Sequence, residues 1–539
     1  MSQNISIMTK LTRFLLPKKR MQAVPHNNAS LGQAILPASL GGHCAPSLRK
    51  RLQTFRENKR LRFCSAIFGE PGVLSVLFGI FTLTQCDFAS LSAADFTKAT
   101  RVLITQGHVK PEPVAFVAPF GETQPANEIG EQFIGVVRQD LCSCGLFIAS
   151  NPSSFVQDAK TLAVNEPRMQ DWRLIKSRFL MCGSAQQEGR GVKLNIRVYD
   201  VNRGFKILAF SVVVFKETLR TAAHMAADQI YTRLTGESGM FNTQIAYVET
   251  VPPFTKNRKR ITHFRKLKIV DQDGANDREL TDGSNLVMTP RFSPDGKTIA
   301  YLAFKEEGQG KQKRPVAHVY LLDVATKRQR ALLTSEHFDA ISRANGGGHV
   351  SMTYAPRFSP DGHSVCFSLI VSGKSAIYSM NIVDGRIRRL TNHMAIDTSP
   401  AYSPDGRSIV FTSDRSGREK IYIMNADGTN VRRVTQGDGK YSQPVYSPRG
   451  DFIAFAKQVG NQFFIGVIRP NGTEERLIVQ GYLAEDPSWS PNGRYIVFIW
   501  QDRPGRAQTI CKVDLTGFFM QKMNTAHEAK DCSWSPLFK

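Results

Sequence analysis

Ser403, Asp405 and Gly406 stand together in the stretch AYSPDGRSIVF, residues 401–411. A serine, a carboxylate and a flexible glycine side by side are materials for nucleophilic catalysis. The trio is not unique, however. Ser-Pro followed by a turn pair occurs at Ser293-Pro294-Asp295-Gly296, Ser359-Pro360-Asp361-Gly362, Ser403-Pro404-Asp405-Gly406, Ser447-Pro448-Arg449-Gly450 and Ser490-Pro491-Asn492-Gly493, and in truncated form at Ser535-Pro536. Successive copies lie 66, 44, 44, 43 and 45 residues apart. Recurrence at a fixed period marks an architectural unit, so Ser403 and Asp405 read as structural. Other chemistry-bearing residues are sparse. The chain has no Gly-x-Ser-x-Gly elbow, no Gly-rich phosphate loop after a strand and no His/Glu zinc spacing. His224 falls in an Ala-rich helical stretch, where a packed or solvated ring is the expectation. The cysteines Cys142, Cys144, Cys182, Cys366, Cys511 and Cys532 show no paired C-x-x-C spacing and read as buried apolar residues.

The elements around the repeated turn follow from residues 397–436, DTSPAYSPDGRSIVFTSDRSGREKIYIMNADGTNVRRVTQ. Four strand-like pieces, PAYS, SIVFTS, KIYIMN and VRRVT, are separated by the Pro404-Asp405-Gly406 turn, a DRSG turn and the Asp427-Gly428 hairpin. Pro fixes φ and Gly supplies the positive φ that ends the turn. Four short antiparallel strands every 44 residues is the period of a β-propeller blade. The long first interval carries about 22 extra residues, assigned to loops at KEEGQGKQKRP (305–315) and SRANGGGH (342–349).

The register sets the blade count. The second strand has six versions, beginning with TQIAYVE (243–249) and ending with YIVFIW (495–500). The first lacks a Ser-Pro strand before it, and the last Ser-Pro strand, CSWSP (532–536), lacks a second strand after it. Joining the two halves gives six blades and removes exposed sheet edges. Trp534 then falls in one core layer with Phe292, Phe358, Tyr402, Tyr446 and Trp489.

Ahead of the repeats, EPVAFVAPF (112–120), GLFIAS (145–150), RFLMCGSAQ (178–186), VKLNIRVYDV (192–201) and KILAFSVVVF (206–215) read as strands. An amphipathic run over 129–141 and a closing helix ending at Gly236 complete an α/β domain. The fold class is therefore two-domain, an N-terminal α/β domain followed by an all-β six-bladed β-propeller. The expected organisation is a basic extension at 1–55, a signal peptide at 56–93, the α/β domain at 94–236 and the propeller at 237–539.

The formal net charge is +24, but residues 1–62 hold twelve Lys/Arg against Glu57, so the tail supplies about eleven of those charges. The rest reads as a solvated basic surface, not a nucleic-acid site. Arg56, Lys59, Arg60 and Arg62 precede an apolar core, VLSVLFGIFTLT (73–84), and a small-residue cleavage region, SLSAAD (90–95). That is an export signal, with cleavage after Ala93 or Ala94. Lipidation at Cys86 is the competing reading, against which stands the lack of a small residue before the cysteine. The 55 residues ahead of the signal point to an overlong start or an unusual leader.

The six Ser-Pro turns, the connector YTRLTGESGMFNTQIAYVET and the ending SWSPLFK together resemble the TolB family, periplasmic components of the Tol–Pal envelope system. The resemblance covers roughly residues 94–539. It implies a periplasmic, non-enzymatic scaffold without cofactor or metal, acting as a monomer in envelope integrity, division and transport. It further implies binding of the peptidoglycan-associated lipoprotein Pal at the mouth of the propeller channel. TolA would be contacted through the segment after the cleavage site, about 94–110, and other outer-membrane proteins remain open as partners. Blade geometry together with the family places the mouth on the residues one or two before each Pro of the innermost strand, on the loop entering the channel. These are Thr289, Tyr354, Ala355, Thr398, Ser399, Ser442, Gln443, Glu485, Asp486, Lys530 and Asp531, with Asp486 and Asp531 on adjacent blades. Two other classes stay open: a propeller-gated serine peptidase, which lacks its hydrolase domain here, and a carbohydrate- or nucleic-acid-binding propeller.

Overall fold

The computed structural model describes residues 110–538 except 252–253, 257–258, 262–263 and 308–313, with side chains left out over 252–264, 306–315 and 351–355. The basic extension, the signal-like stretch and residues 94–109 lie outside the described residues. Among the described residues no helix is long and apolar enough to cross a membrane.

Strands β1 (Glu112–Phe116), β2 (Phe147–Ala149), β3 (Phe179–Glu188), β4 (Gly191–Asp200) and β5 (Phe205–Val214) form one sheet in the order β2-β1-β3-β4-β5. β1 runs parallel to β2 and β3, and β3, β4 and β5 are antiparallel neighbours. Helix α1 (Gln124–Cys142) buries Phe133, Ile134, Val137 and Leu141, spaced three and four apart on one face. The short helices α2 (Ala159–Val164) and α3 (Met169–Leu174) follow β2. Helix α4 (Leu219–Thr235) packs beside α1 and ends where Gly236 adopts φ 77°, its amide donating to Thr232 O at 2.9 Å. An L side chain at that φ would be strained, so the glycine terminates the helix as its sequence position implies.

The propeller consists of six four-stranded antiparallel sheets. Blade I joins the ends of the repeat region: Glu528–Trp534 pairs with Gln244–Val251, whose other neighbour is Phe264–Asp271. The innermost strands are Leu286–Phe292, Val350–Phe358, Asp397–Tyr402, Lys440–Tyr446, Leu483–Trp489 and Glu528–Trp534, belonging to blades II to VI and then I. Each neighbours the next, and the last neighbours the first, which closes the ring.

The expected aromatic layer is present. Phe292, Phe358, Tyr402, Tyr446, Trp489 and Trp534 pair respectively with Ile299, Val365, Ile409, Ile453, Ile496 and Ile245, the same register in every blade. The Ser-Pro turns are structural. Ser403 Oγ donates to Asp405 Oδ1 at 2.6 Å and accepts from Ser408 N at 2.9 Å, while Arg407 N donates to Asp405 Oδ1 at 3.1 Å. These bonds, the serine hydroxyl first, hold the Asp405 carboxyl below its ordinary pKa.

Two parts of the connecting regions depart from the sequence reading. Residues Ser335–Ala344 form helix α5, which takes in the start of the stretch assigned to a loop. Its entry is fixed by His337 Nδ1, which accepts from Thr334 N at 3.2 Å. Into the other long connection Thr298–Glu307 and Arg314–Asp323 extend a hairpin from both ends, and residues 308–313 between them lie outside the described residues. Blade I also carries an extra hairpin, Phe254–Lys256 with Lys259–Ile261.

The α/β domain and the propeller share one apolar core, in which Phe133, Leu141 and Tyr231 cluster with Tyr247, Tyr495 and Trp534. Tyr495 OH donates to Cys144 O at 2.6 Å across this seam, and Asn492 Nδ2 donates to Ser238 O at 3.1 Å.

Candidate functional site at the propeller mouth

Each innermost strand carries a bulge at one position. In blade II, Met288 pairs with Leu302 and Arg291 with Ala300, so Thr289 and Pro290 together oppose Tyr301. The same two-against-one count sets Ala355-Pro356 against Phe367, Ser399-Pro400 against Phe411, Gln443-Pro444 against Phe455, Asp486-Pro487 against Phe498, and Asp531-Cys532 against Tyr247. Tyr247, Tyr301, Phe367, Phe411, Phe455 and Phe498 are among the most deeply buried side chains of the chain. A large ring anchored below the bulge therefore meets a kinked inner strand above it in every blade.

In five blades the first bulge residue is left-handed. φ is 49° at Thr289, 52° at Ser399, 53° at Gln443, 58° at Asp486 and 50° at Asp531. None is glycine, and Thr289 is β-branched, so this backbone is held by its surroundings against a cost of about 1–3 kcal/mol per residue. These residues lie within strands, not on a loop entering the channel as the sequence reading placed them. The bulge itself turns them. Thr398, Ser442, Glu485 and Lys530, one residue earlier in their strands, are half-buried. Tyr354 and Ala355 occupy the equivalent strand positions in blade III, but their side chains lie outside the described residues.

The structure brings Gln443, Asp486 and Asp531 together across three neighbouring blades. Gln443 Nε2 donates to Asp486 Oδ1 at 2.7 Å, and Asp486 N donates back to Gln443 Oε1 at 2.8 Å. Asp486 and Asp531 are 4% and 5% exposed, and Asp531 Oδ2 has no hydrogen-bond partner. Burial, then the Asp531 carboxylate and then Glu485 raise the Asp486 pKa well above the ordinary carboxylate value, against the pull of Arg291. With a second carboxylate beside it, Asp486 holds its proton more tightly than a free carboxyl group does.

Arg291 was missed from sequence. It is 4% exposed, donates from Nη1 to Pro290 O at 2.6 Å and Cys532 O at 3.2 Å, and brings Nη2 to 3.9 Å from Asp486 Oδ1. Arg357 holds the same position in blade III and interacts electrostatically with Arg291 and Asp486. A signal existed: the residue after the bulge proline or its equivalent is Arg in these two blades and Ala401, Val445, Ser488 or Ser533 in the others.

The bulges sit within the inner strands, with two residues between each bulge and the strand end that leads into the Ser-Pro turn. The α/β domain lies against the turn end, where Glu237 pairs with Arg449 at 3.2 Å and with Arg494. The bulge ring places Thr289, Ser399, Gln443, Asp486 and Asp531 at equivalent positions around the propeller, four of them buried. The metal-competent grouping among the described residues is elsewhere, at Asp140, His224 and Asp273.

Residues 231–538 match the family model described as the TolB beta propeller domain, and residues 100–207 match the TolB amino-terminal domain. The Tol-Pal system protein TolB of Paramagnetospirillum magneticum is 41% identical over 233 residues, 43% of this chain and 49% of that protein. The match thus spans about half the length of that relative. The crystal structure of TolB from Acinetobacter baumannii aligns with a TM-score of 0.66 at 26% identity, covering 79% of this chain and 97% of that one. With more than half its length matched by the propeller model, the chain belongs to the TolB family.

Proposed function

We propose that this chain is a non-catalytic periplasmic scaffold of a Tol–Pal system that receives the peptidoglycan-associated lipoprotein Pal at the mouth of its propeller channel. The observation that carries the reading is the ring of left-handed, non-glycine residues, Thr289, Ser399, Gln443, Asp486 and Asp531, at equivalent positions of five blades. Strain of this kind collects where side chains must be presented at fixed positions. In this reading Thr398, Ser442, Glu485 and Lys530 form the adjoining rim, and Tyr354 and Ala355 complete it in blade III. Residues 94–110 are the contact for TolA, and the pair of contacts couples the outer membrane to the cell wall in envelope maintenance and division.

The repeated serines support a scaffold over a hydrolase, because Ser403 Oγ is committed to the turn that contains it. The test is isothermal titration of the purified chain with the soluble domain of the lipoprotein from the same cell. Saturable 1:1 binding is expected, with at least a tenfold loss in a Ser399→Arg/Ser442→Arg double variant, since two bulky cations would obstruct the channel mouth. Absence of binding by the unaltered chain would overturn the reading.

A further inference from the structure

Neighbouring blades are sealed at their outer hairpins, the turns between third and fourth strands. A Cβ added to Gly428, Gly472 or Gly517 would stand 2.4, 2.9 and 2.9 Å from Leu390 O, Val434 O and Ile478 O of the preceding blade, so these hairpins lie directly on that blade. Gly274 in the same way reaches Met523 Cγ of blade VI at 3.7 Å. Between blades I and II a side chain makes the seal, Val324, which is 8% exposed in one apolar cluster with Leu280. The seam between blades II and III is different. A Cβ on Gly385 of its hairpin would meet only Met380 Cε of its own blade, at 3.9 Å, and Val383 in the same turn is 81% exposed. A cleft of about 520 Å³ opens between these two blades instead, a size suited to a small ligand.

Phe358, Leu321 and Ile382 give the cleft an apolar wall, and Asp295, Asp323 and Asp361 give it acceptors. Each acid commits Oδ1 to its own turn, accepting from Lys297 N at 3.1 Å, Thr326 N at 2.7 Å and His363 N at 2.9 Å respectively. Oδ2 of all three makes no hydrogen bond among the described residues, so each carboxylate is held in place with acceptor capacity to spare. The donors are Arg328, Arg330 and His363, exposed on the rim, and neither arginine has an ion pair among the described residues. An anionic ligand would meet the three carboxylates, and a cationic one the two guanidinium groups. Hydroxyl groups both donate and accept, so a neutral polyol answers every polar group in this lining without bringing a charge of its own. The carbon face of a pyranose ring matches the apolar wall.

We propose that the cleft between blades II and III binds a short neutral saccharide, with Asp295, Asp323 and Asp361 accepting from its hydroxyls, Arg328, Arg330 and His363 donating to them, and Phe358 supporting one face of a sugar ring. The site goes beyond the lipoprotein reading and uses none of the residues at the channel mouth. It gives the propeller a second ligand, held in the one seam that its own hairpin leaves unsealed.

The test is saturation-transfer difference NMR of the full chain with cellobiose and with N,N′-diacetylchitobiose, two uncharged disaccharides. Saturable transfer to the ring protons of at least one is expected. Arg330→Ala/His363→Ala, which alters two exposed side chains, should weaken that binding by at least about tenfold, the equivalent of one or two lost hydrogen bonds. Arg388→Ala, at the position of blade III that matches Arg330, should leave it unchanged. Circular dichroism of both variants separates loss of a contact from loss of fold. The proposal is overturned by absence of transfer to both sugars, by undiminished binding in the folded double variant, or by an equal loss in Arg388→Ala. Tighter binding of the cationic glucosamine dimer, or of a zwitterionic dipeptide such as alanyl-phenylalanine, would also overturn it and assign the cleft to a charged ligand.

Discussion

Gln443 and Asp486, on neighbouring blades, close a two-bond ring in which each residue both donates and accepts, at 2.7 and 2.8 Å. Gln443→Ala removes both partners at once and leaves a buried amide and a buried carboxyl unsatisfied, at roughly 1–3 kcal/mol for such groups. Ser399→Ala, at the equivalent bulge of blade IV, leaves no such pair behind. Urea unfolding should therefore separate the two variants clearly. Equal, small losses would show that the cross-blade bond does not organise the bulges.

The proton held by Asp486 has a definite pH signature. Its folded pKa lies above the ordinary 3.8. The folded chain thus retains a proton that the unfolded chain releases, and this contribution is full below 3.8 and declines as pH rises toward the folded value. Asp486→Asn keeps an oxygen for Gln443 Nε2 and removes the buried charge. It should be more stable than the unaltered chain at neutral pH, with an advantage that widens from acid toward neutrality in thermal melts. A gap that narrows over that range would contradict the assignment.

The architecture was legible in the sequence because one unit is written out repeatedly: the Ser-Pro turn places its Gly at positive φ, and the unpaired first and last strands demand closure. The bulges were not legible as such. Positive φ is usually announced by glycine, whereas here Thr289, Ser399, Gln443, Asp486 and Asp531 are turned by what lies opposite, a buried aromatic on the second strand. Helix α5 was hidden by the glycines that follow it. Asp140 belongs to a helix whose apolar spacing pointed to core; its partner His224 comes from the neighbouring helix and Gln272 from the docked propeller.

Thr289 offers a direct measure of bulge strain. A β-branched residue at φ 49° is disfavoured, and its buried Oγ1 has no partner. Thr to Gly inside a strand is ordinarily destabilising. At this position glycine adopts the observed backbone freely, so Thr289→Gly should be neutral or stabilising by up to ~1 kcal/mol. Chemical denaturation measures it, and a loss of 2 kcal/mol or so would mean that the threonine side chain contributes packing that outweighs the strain.

Lys512 is 5% exposed beneath α1, where burial pushes its pKa down from 10.5 to about 8. The folded chain gives up this proton more readily than the unfolded one. The base therefore costs stability at neutral pH, and stability recovers as pH rises from about 8 toward 10.5. Lys512→Met should gain roughly 3 kcal/mol near pH 7, at ~1.4 kcal/mol for each tenfold loss of proton affinity. The gain should shrink in alkali, and a constant difference across that range would assign the effect to packing.

Closure can be weighed against turn chemistry by pairing two substitutions. Trp534 is 5% exposed in the last strand, and its Nε1 donates to Thr243 Oγ1 at 2.9 Å, tying the chain end to the start of blade I. Trp534→Ala removes a large ring from the core shared by the two domains, at about 3–5 kcal/mol. Ser403→Ala removes a hydroxyl from one exposed turn among six related ones, and is expected to cost about 1 kcal/mol. If the ring is held shut by its ends, Trp534→Ala should also speed proteolysis of the Glu528–Trp534 strand, while Ser403→Ala leaves it protected. Comparable protection of that strand in both variants would show that closure rests on the backbone ladder and not on the tryptophan.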